Sequence, residues 1–249
     1  MKTIIITVAG TSTRFNKDTD IPTLKCLYHD GDPRHSLLYQ ILDKARDFDE
    51  YIIVGGYLFE QLEKFINRNL NEFKERIHLV FNPEYSNWGS CYSLKLGIAN
   101  ANPSSSEIIF VEGDLFFDLS DFNSMKSCGH DAVSINHEPI LANKAVVFYI
   151  SSEGKIKYLY DTSHKSLEIK EKFTAIYNSA QIWKFTDVKK LKEIASGTSE
   201  EEEKGTNLII IQKYFGKQTE NDYEIIPFNI WHNCNTVSDY NNVSKKLDK

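Results

Sequence analysis

The sequence predicts an α/β fold, with a mostly parallel central sheet flanked by helices and antiparallel additions in the C-terminal half. Three observations carry that prediction. Apolar, β-branched runs alternate with segments of helical periodicity up to about residue 130. The first run, Thr3–Val8, shows no polar alternation, which is the pattern of a strand covered on both faces. Beyond residue 130 the helical segments give way to short runs separated by turn residues.

Taken in order, Thr3–Val8 leads from a strand into the small residues Ala9–Thr13. Ser36–Phe48 sets Leu37, Leu38, Ile41, Leu42 and Ala45 at helical spacing, and Tyr51–Val54 is a second strand closed by Gly55-Gly56. Leu58–Leu70 repeats the helical period through Leu58, Leu62, Phe65 and Ile66, and Ile77–Phe81 is a strand stopped by Asn82-Pro83. Cys91–Ala101 reads as a helix and Glu107–Glu112 as a fourth buried strand ending in Gly113-Asp114. Ala132–Ile135, Ala145–Ile150, Lys155–Tyr160 and Thr174–Phe185 follow as strands, with Ser152-Glu153-Gly154 as a turn. Ser196–Gly205 is polar and acidic and reads as a solvated loop without function. Neither a repeat nor a Pro/Gly/Ser-rich linker divides the chain, so residues 1–249 are expected to form one domain.

Composition narrows the function classes. The 249 residues include 29 Lys+Arg and 35 Asp+Glu, a net charge of −6 that disfavours a broad phosphate-backbone binder of nucleic acid. Four of the acidic residues lie in one run, Glu200–Glu203, so a local basic pocket is compatible with the total. The cysteines Cys26, Cys91, Cys128 and Cys234 are far apart and lack structural-zinc spacing. No apolar run reaches the ~18 residues of a membrane span, and the N-terminal one is too short for a signal peptide. A reducing, cytoplasmic setting is the expectation.

Ligands of open α/β sheets collect beyond the C-terminal ends of parallel strands, which directs attention to Ala9-Gly10-Thr11-Ser12-Thr13-Arg14-Phe15. Small residues let backbone N–H groups approach phosphate oxygens, the hydroxyls add donors, and Arg14 supplies a charged fork. Lys25 stands among apolar neighbours in Ile21-Pro22-Thr23-Leu24-Lys25-Cys26-Leu27, and a buried lysine calls for an anionic partner. A dinucleotide-binding reading fails, since G-x-G-x-x-G is absent and Gly55-Gly56 stands where a ribose-binding acid belongs. A Walker A loop is absent too.

AGTSTRF followed by PTLKCL resembles the signature of the sugar-phosphate and alditol-phosphate nucleotidyltransferases, A-G-x-G-[ST]-R and then P-K-x-L. Asn82-Pro83-Glu84-Tyr85 with Gly89-Ser90 is similar to the family's N-P-x-Y and base-reading element, and Val111-Glu112-Gly113-Asp114 to its metal-bearing strand end. Asn233-Cys234-Asn235-Thr236-Val237-Ser238-Asp239 is similar to the element that supplies a second metal ligand. Five ordered matches span residues 9 to 239. The resemblance implies a nucleotide-diphospho-sugar transferase-like, Rossmann-related fold, with residues 1–130 holding nucleotide and 131–249 the acceptor.

It further implies Mg²⁺ on Asp114 and Asn235, and nucleotide on Ala9, Gly10, Thr11, Ser12, Thr13, Asn82, Gly89, Ser90 and Glu112. Arg14, Lys25 and Lys184 become the catalytic cations, with Lys17 competing for the role of Lys25 and Lys184 facing the acceptor phosphate. NPEYSNWGSCYSLKLG and VEGD look most like the choline-phosphate cytidylyltransferase branch, which makes CMP-alcohols for bacterial surface polysaccharide. CTP and a small phosphorylated or phosphonate acceptor are therefore the implied partners, with no nucleic acid and no membrane insertion.

The sequence departs from the family pattern in three places. Ser12 replaces a glycine and gives up its φ > 0 freedom. Pro22 and Lys25 are separated, and Asn235 stands where many relatives carry Asp. Several residues keep ordinary structural alternatives: a turn cap for Asp114, an Asx turn for Asn235 and a solvent-facing strand position for Lys184. Trp88, Trp183, Trp231 and Tyr177 read as core or as an aromatic wall for a quaternary ammonium. Two other functions fit the pattern, a nucleotide-sugar-dependent glycosyltransferase reading Glu112-Gly113-Asp114 as its metal motif, and a catalytically inactive nucleotide-sensing module.

Overall fold

In the computed structural model, which describes residues 1–142, 145–159 and 165–246, Lys2–Val8 forms β1 at the middle of the sheet. β2 (Glu50–Gly55), β3 (Ile77–Phe81) and β4 (Glu107–Glu112) run parallel to it, in the order β4-β1-β2-β3. The hydrophobic run of β1 has the cause the sequence suggests: Ile4, Ile5 and Ile6 are fully buried because both faces of the sheet are covered. Helices α1 (Leu37–Lys44), α2 (Phe59–Asn69) and α4 (Leu119–Ser127) pack on the face that buries Ile4 and Ile6. α3 (Ser90–Asn100), α5 (Val188–Ser196) and α7 (Leu208–Phe215) pack on the face that buries Ile5.

Beyond β4 the sheet continues through β9 (Phe173–Phe185), β6 (Asp131–Asn136) and β10 (Tyr223–Phe228). β9 runs antiparallel to both β4 and β6, while β10 is parallel to β6. Six of the seven strands along this path thus share one direction. The antiparallel additions are β9, β7 (Val147–Ser151), which pairs with it, and β8 (Ile156–Leu159), which pairs with β7. The strand expected over Lys155–Tyr160 therefore exists, although Tyr160 itself lies outside the described residues.

A two-stranded ribbon joins the middle of the chain to its C-terminal part. β5 (Leu115–Phe117), directly after the β4 turn, pairs antiparallel with β11 (Trp231–Asn233), and α8 (Val237–Ser244) follows. Its register sets Asn233 opposite Leu115, and the Cys234 amide donates to the Asp114 carbonyl at 2.8 Å. Residues 114 and 235 become neighbours by backbone pairing, before any side chain is considered.

Two readings of the sequence need correction. Ser196–Gly205 is no solvated loop: Glu200–Glu203 forms a short helix, α6, capped by a reciprocal Ser199/Glu202 box. Glu203 is buried and paired with Lys95, while Glu200 and Glu202 pair with Lys204 and Lys213. Lys184 is neither a solvent-facing lysine nor a site residue. It is 1% exposed, its Nζ donates to the Lys126 and Cys128 carbonyls at 2.9 and 2.6 Å, and it lies 3.0 Å from Glu107. The register of β9 against β4 pairs Lys184 with Ile109, toward the strand end opposite to Asp114. Its charge is consumed in joining α4 to the sheet. No helix among the described residues is long and apolar enough to cross a membrane.

Candidate functional site

A cleft of about 210 Å³ opens where β1 and β4 end, lined by both strand termini, the loop after β1 and the start of α3. This is where the strand directions require a ligand site to be. Ala9, Gly10 and Ser12 line it from the first loop, and Lys25 and Cys26 from the next turn. Asn82, Gly89 and Ser90 close it on the α3 side, with Glu112, Gly113 and Asp114 at its floor. Thr11, Thr13 and Arg14 line a contiguous pocket of about 190 Å³ that shares Ser12 and Lys25 with the cleft and reaches Asn235. Of the residues to which the resemblance assigns catalytic, nucleotide or metal roles, Lys184 falls outside this connected space. Lys17 is exposed and lines none of these cavities, whereas Lys25 lines both.

The centre of the site is a knot of opposite charges. Lys25 Nζ donates to Asp114 Oδ2 at 2.5 Å and to Asn235 Oδ1 at 3.2 Å, and Arg14 Nη2 donates to the same Asn235 oxygen at 2.9 Å. Asp114 does not cap its own turn, and Asn235 makes no Asx turn. Asn235 is oriented by other groups: its amide N–H donates to Asp239 Oδ2 and its Nδ2 to Asn233 Oδ1. Asp239 in turn closes a capping box with Thr236 at the start of α8.

These residues fit a divalent cation. Asp114 Oδ1 is buried with no hydrogen-bond partner, and Asp114 Oδ2 and Asn235 Oδ1 already converge on one cationic centre, the Lys25 ammonium. A carboxylate and a carboxamide oxygen, completed by phosphate oxygens and water, make an oxygen-only donor set that suits Mg²⁺. Among the described residues there is no cluster of three His, Cys, Asp or Glu side chains that would hold a metal through protein ligands alone.

The side of the cleft formed by the first loop and the start of α3 is built by backbone fit. Ser12 occupies the left-handed region at φ 52°, so the conformation a glycine would supply is kept despite the substitution. Its carbonyl accepts from Asn16 N–H at 2.9 Å and its Oγ from Lys25 N–H at 3.3 Å, bonds that offset the local strain. Gly89 is required by proximity, since a Cβ there would stand 1.9 Å from the Gly205 carbonyl oxygen. Its N–H donates to the Glu203 carbonyl and that of Cys91 to the Gly205 carbonyl. The acidic segment is thus the seat on which the Gly89-Ser90 turn rests.

Sequence reasoning missed the second layer of this site. Asn207, almost fully buried, donates its N–H to Ser90 Oγ at 3.0 Å and its Nδ2 to Glu112 Oε1 at 2.7 Å. Burial, with Asp114 beside it, pushes the Glu112 carboxyl above the usual carboxylate range, against the pull of Asn207 and Lys25. Asn82 spends its carboxamide on the protein, donating to Ser93 Oγ at 2.9 Å and accepting from Glu84 N–H at 2.8 Å. It shapes the turn that carries Tyr85 and Trp88 to the cleft wall. The Cys26 thiol lines the cleft but burial raises its pKa strongly, which disqualifies it as a nucleophile at neutral pH.

On the other side of Arg14 and Asn235 lies a recess of about 380 Å³, lined by Glu138, Asn178, Trp231, His232 and Asp239 among others. The tryptophans that read as core or as an aromatic wall are dispersed. Trp231 borders this recess and donates Nε1–H to the Ala180 carbonyl at 2.7 Å, Trp88 lines the first cleft, and Trp183 is core, stacked on Phe110.

The whole fold is shared with solved nucleotidyltransferases. An inositol-1-phosphate CTP transferase from T. maritima superposes with a TM-score of 0.71 at 16% identity, covering 100% of this chain and 96% of that one. The CTP:phosphocholine cytidylyltransferase of Streptococcus pneumoniae gives 0.66 at 16% identity, with 99% of each chain covered. HddC from Yersinia pseudotuberculosis, complexed with GMP-PN, gives 0.64 at 14% identity over 99% of this chain and 100% of that one. A search of curated proteins finds no match. One family model spans residues 21–247, nearly the whole sequence, and the chain belongs to that family, the domain of unknown function DUF6564.

Proposed function

We propose that the protein transfers a nucleoside monophosphate from a nucleoside triphosphate to a small phosphorylated or phosphonate acceptor, with release of pyrophosphate. The carrying observation is the convergence of Lys25 and Arg14 on Asp114 and Asn235 at the end of β4. Two cations and a divalent-metal donor pair within hydrogen-bond reach of one another are what a reaction between two anions demands. The acceptor oxygen attacks the α-phosphorus in line, the bond to the β-phosphate oxygen breaks, and the leaving pyrophosphate is neutralised by Arg14 and Lys25. Asp114 and Asn235 would hold Mg²⁺, which when bound would supply Lewis-acid charge neutralisation there. Residues 1–130 hold the nucleotide and 131–249 the acceptor, the two parts meeting at the Asp114–Asn235 pairing within one domain.

CTP is the favoured donor, because the spelling around Gly89-Ser90 resembles cytidylyltransferases and two of the structural neighbours are CTP-dependent by name. The reading puts the enzyme in the cytoplasm, where triphosphates are available, supplying an activated alcohol or sugar for surface polysaccharide or lipid decoration. The test is pyrophosphate release with each of the four NTPs and Mg²⁺, using phosphocholine, inositol 1-phosphate, glucose 1-phosphate and a phosphonate as acceptors. Release with one pairing, strongest with CTP, is expected; absence of release with all of them removes the proposal.

Gly10 gives an independent check on the nucleotide side. A Cβ at this position meets no protein atom within 4 Å, so the fold itself has no need of glycine here. Gly10→Ala is expected to leave the melting temperature unchanged or slightly raised. The methyl group would instead stand where a phosphate approaches the loop, and the NTP KM is expected to rise at least tenfold. An unchanged KM would show that the phosphates do not approach this part of the loop.

A further inference from the structure

The middle of β9 carries a distortion that neither the fold nor the charge cluster explains. Val133 pairs with Trp183 and Ile135 with Ser179, so three residues of β9, Ala180, Gln181 and Ile182, stand against the single residue Ser134 of β6. Within this bulge Gln181 adopts φ 60°, a left-handed conformation costly for a residue with a long side chain. Such a conformation persists only where its surroundings impose it. Here they do: Ser179 Oγ accepts from Gln181 N–H at 3.1 Å, and Ser134 Oγ bonds both the N–H and the carbonyl of Ile182. Trp231 holds the Ala180 carbonyl and Asn136 the Ser179 carbonyl.

Gln181 lines a pocket of about 160 Å³ that also touches Arg14, Glu112, Asp114 and Asn235, midway between the nucleotide cleft and the recess beside Trp231. The residue is 4% exposed, and its carboxamide makes no hydrogen bond among the described residues. The strained backbone thus holds at this pocket a carboxamide that no protein group engages. That strain is accounted for if the partner is a ligand.

We propose that Gln181 is an acceptor-contacting residue whose carboxamide hydrogen-bonds the phosphate or phosphonate group of the acceptor, next to Asp114 and Asn235. The inference rests on the nucleotidyl-transfer reading and adds to it the residue that recognises the attacking group. Most of the pocket wall, Val146, Gln181, Thr206, Leu208, Asn233 and Asn235 included, comes from the C-terminal half of the chain, the half assigned to the acceptor. Lys184, which the sequence offered for this task, is engaged elsewhere.

The test is a comparison of Gln181→Gly and Gln181→Asn with wild type, by thermal melting and by pyrophosphate release at varied acceptor. Glycine adopts the left-handed conformation without strain, so Gln181→Gly is expected to melt a few degrees higher than wild type. Its acceptor KM is expected to rise at least tenfold while the NTP KM stays within twofold. Gln181→Asn keeps a carboxamide and tolerates the conformation, and is expected to recover part of the acceptor affinity. A purely structural Gln181 predicts that the glycine variant is at least as active as wild type at every acceptor concentration, a result that would overturn the proposal while leaving nucleotidyl transfer in place. If wild-type protein releases no pyrophosphate with any acceptor, both readings fall together.

Discussion

Asp114→Asn is expected to lower kcat about a thousandfold, the scale on which enzymes lose rate when one preorganised electrostatic contact to the reacting groups is removed. The substitution keeps size and shape, and the backbone carbonyl of residue 114 still accepts from Cys234, so the β5–β11 ribbon is preserved. Its effect on stability is small because two terms oppose each other. Lys25 loses a partner at 2.5 Å, but Glu112, whose ionisation the neighbouring Asp114 charge disfavours, loses a repulsive neighbour. A change in unfolding free energy of about 1 kcal/mol or less is expected, since removing a partly buried charge is costly only when its partner is left with no other contact, and Lys25 retains Asn235. Pyrophosphate release and thermal melting on the same preparation separate the two effects. A kcat within tenfold of wild type at a normal melting temperature would take Asp114 out of the reaction.

How much of this site could be read in the sequence depends on how the information is encoded. The parallel core was legible because burial on both faces writes itself as uninterrupted apolar runs, as in Thr3–Val8 and Glu107–Glu112, and the ends of those runs mark where a ligand site lies. Residues attached to such ends, Gly10, Arg14 and Asp114, were found in place. Asn235 is different in kind: it reaches Asp114 through the β5–β11 pairing, a contact between residues 121 apart in sequence that only the family resemblance indicated. Lys184 was indicated by the resemblance alone, which carries no register, and the register against Ile109 takes it away from the strand end that holds the site.

The helix within the acidic run is encoded in its caps rather than in its composition. Ser199 with Glu202 spells a capping box, and Thr236 with Asp239 spells another, so both helix starts were available as local signals. Gln181 had no such signal. Glutamine is an uncommon choice for positive φ, and the conformation is imposed by Ser134, Asn136 and Trp231, all distant in sequence. Asn207 was equally silent, since one asparagine before the apolar Leu208–Phe215 run looks like any helix entry. The side chains that complete the site are those whose roles are conferred by tertiary neighbours.

Lys25→Met is expected to move metal binding and turnover in opposite directions. The Lys25 ammonium occupies the point on which Asp114 Oδ2 and Asn235 Oδ1 converge, so Mg²⁺ must displace it to reach them. Methionine keeps much of the apolar stem but removes the competing charge, leaving Asp114 and Glu112 without their lysine partner. The variant is expected to melt lower than wild type in chelator, because two neighbouring carboxylates then face each other uncompensated. Added Mg²⁺ alone is expected to restore it, with a midpoint about tenfold lower in concentration than for wild type, the equivalent of about 1.4 kcal/mol, within the worth of one charge-assisted hydrogen bond. Turnover is nevertheless expected to fall by two to three orders of magnitude, since the displaced ammonium is the group that meets the leaving phosphates once nucleotide is bound. Equal Mg²⁺ midpoints in the two proteins would mean that the metal and Lys25 do not share Asp114. Tighter metal binding together with lost activity has one economical physical cause, a cation that guards the carboxylate in the empty enzyme and passes to the triphosphate in the loaded one.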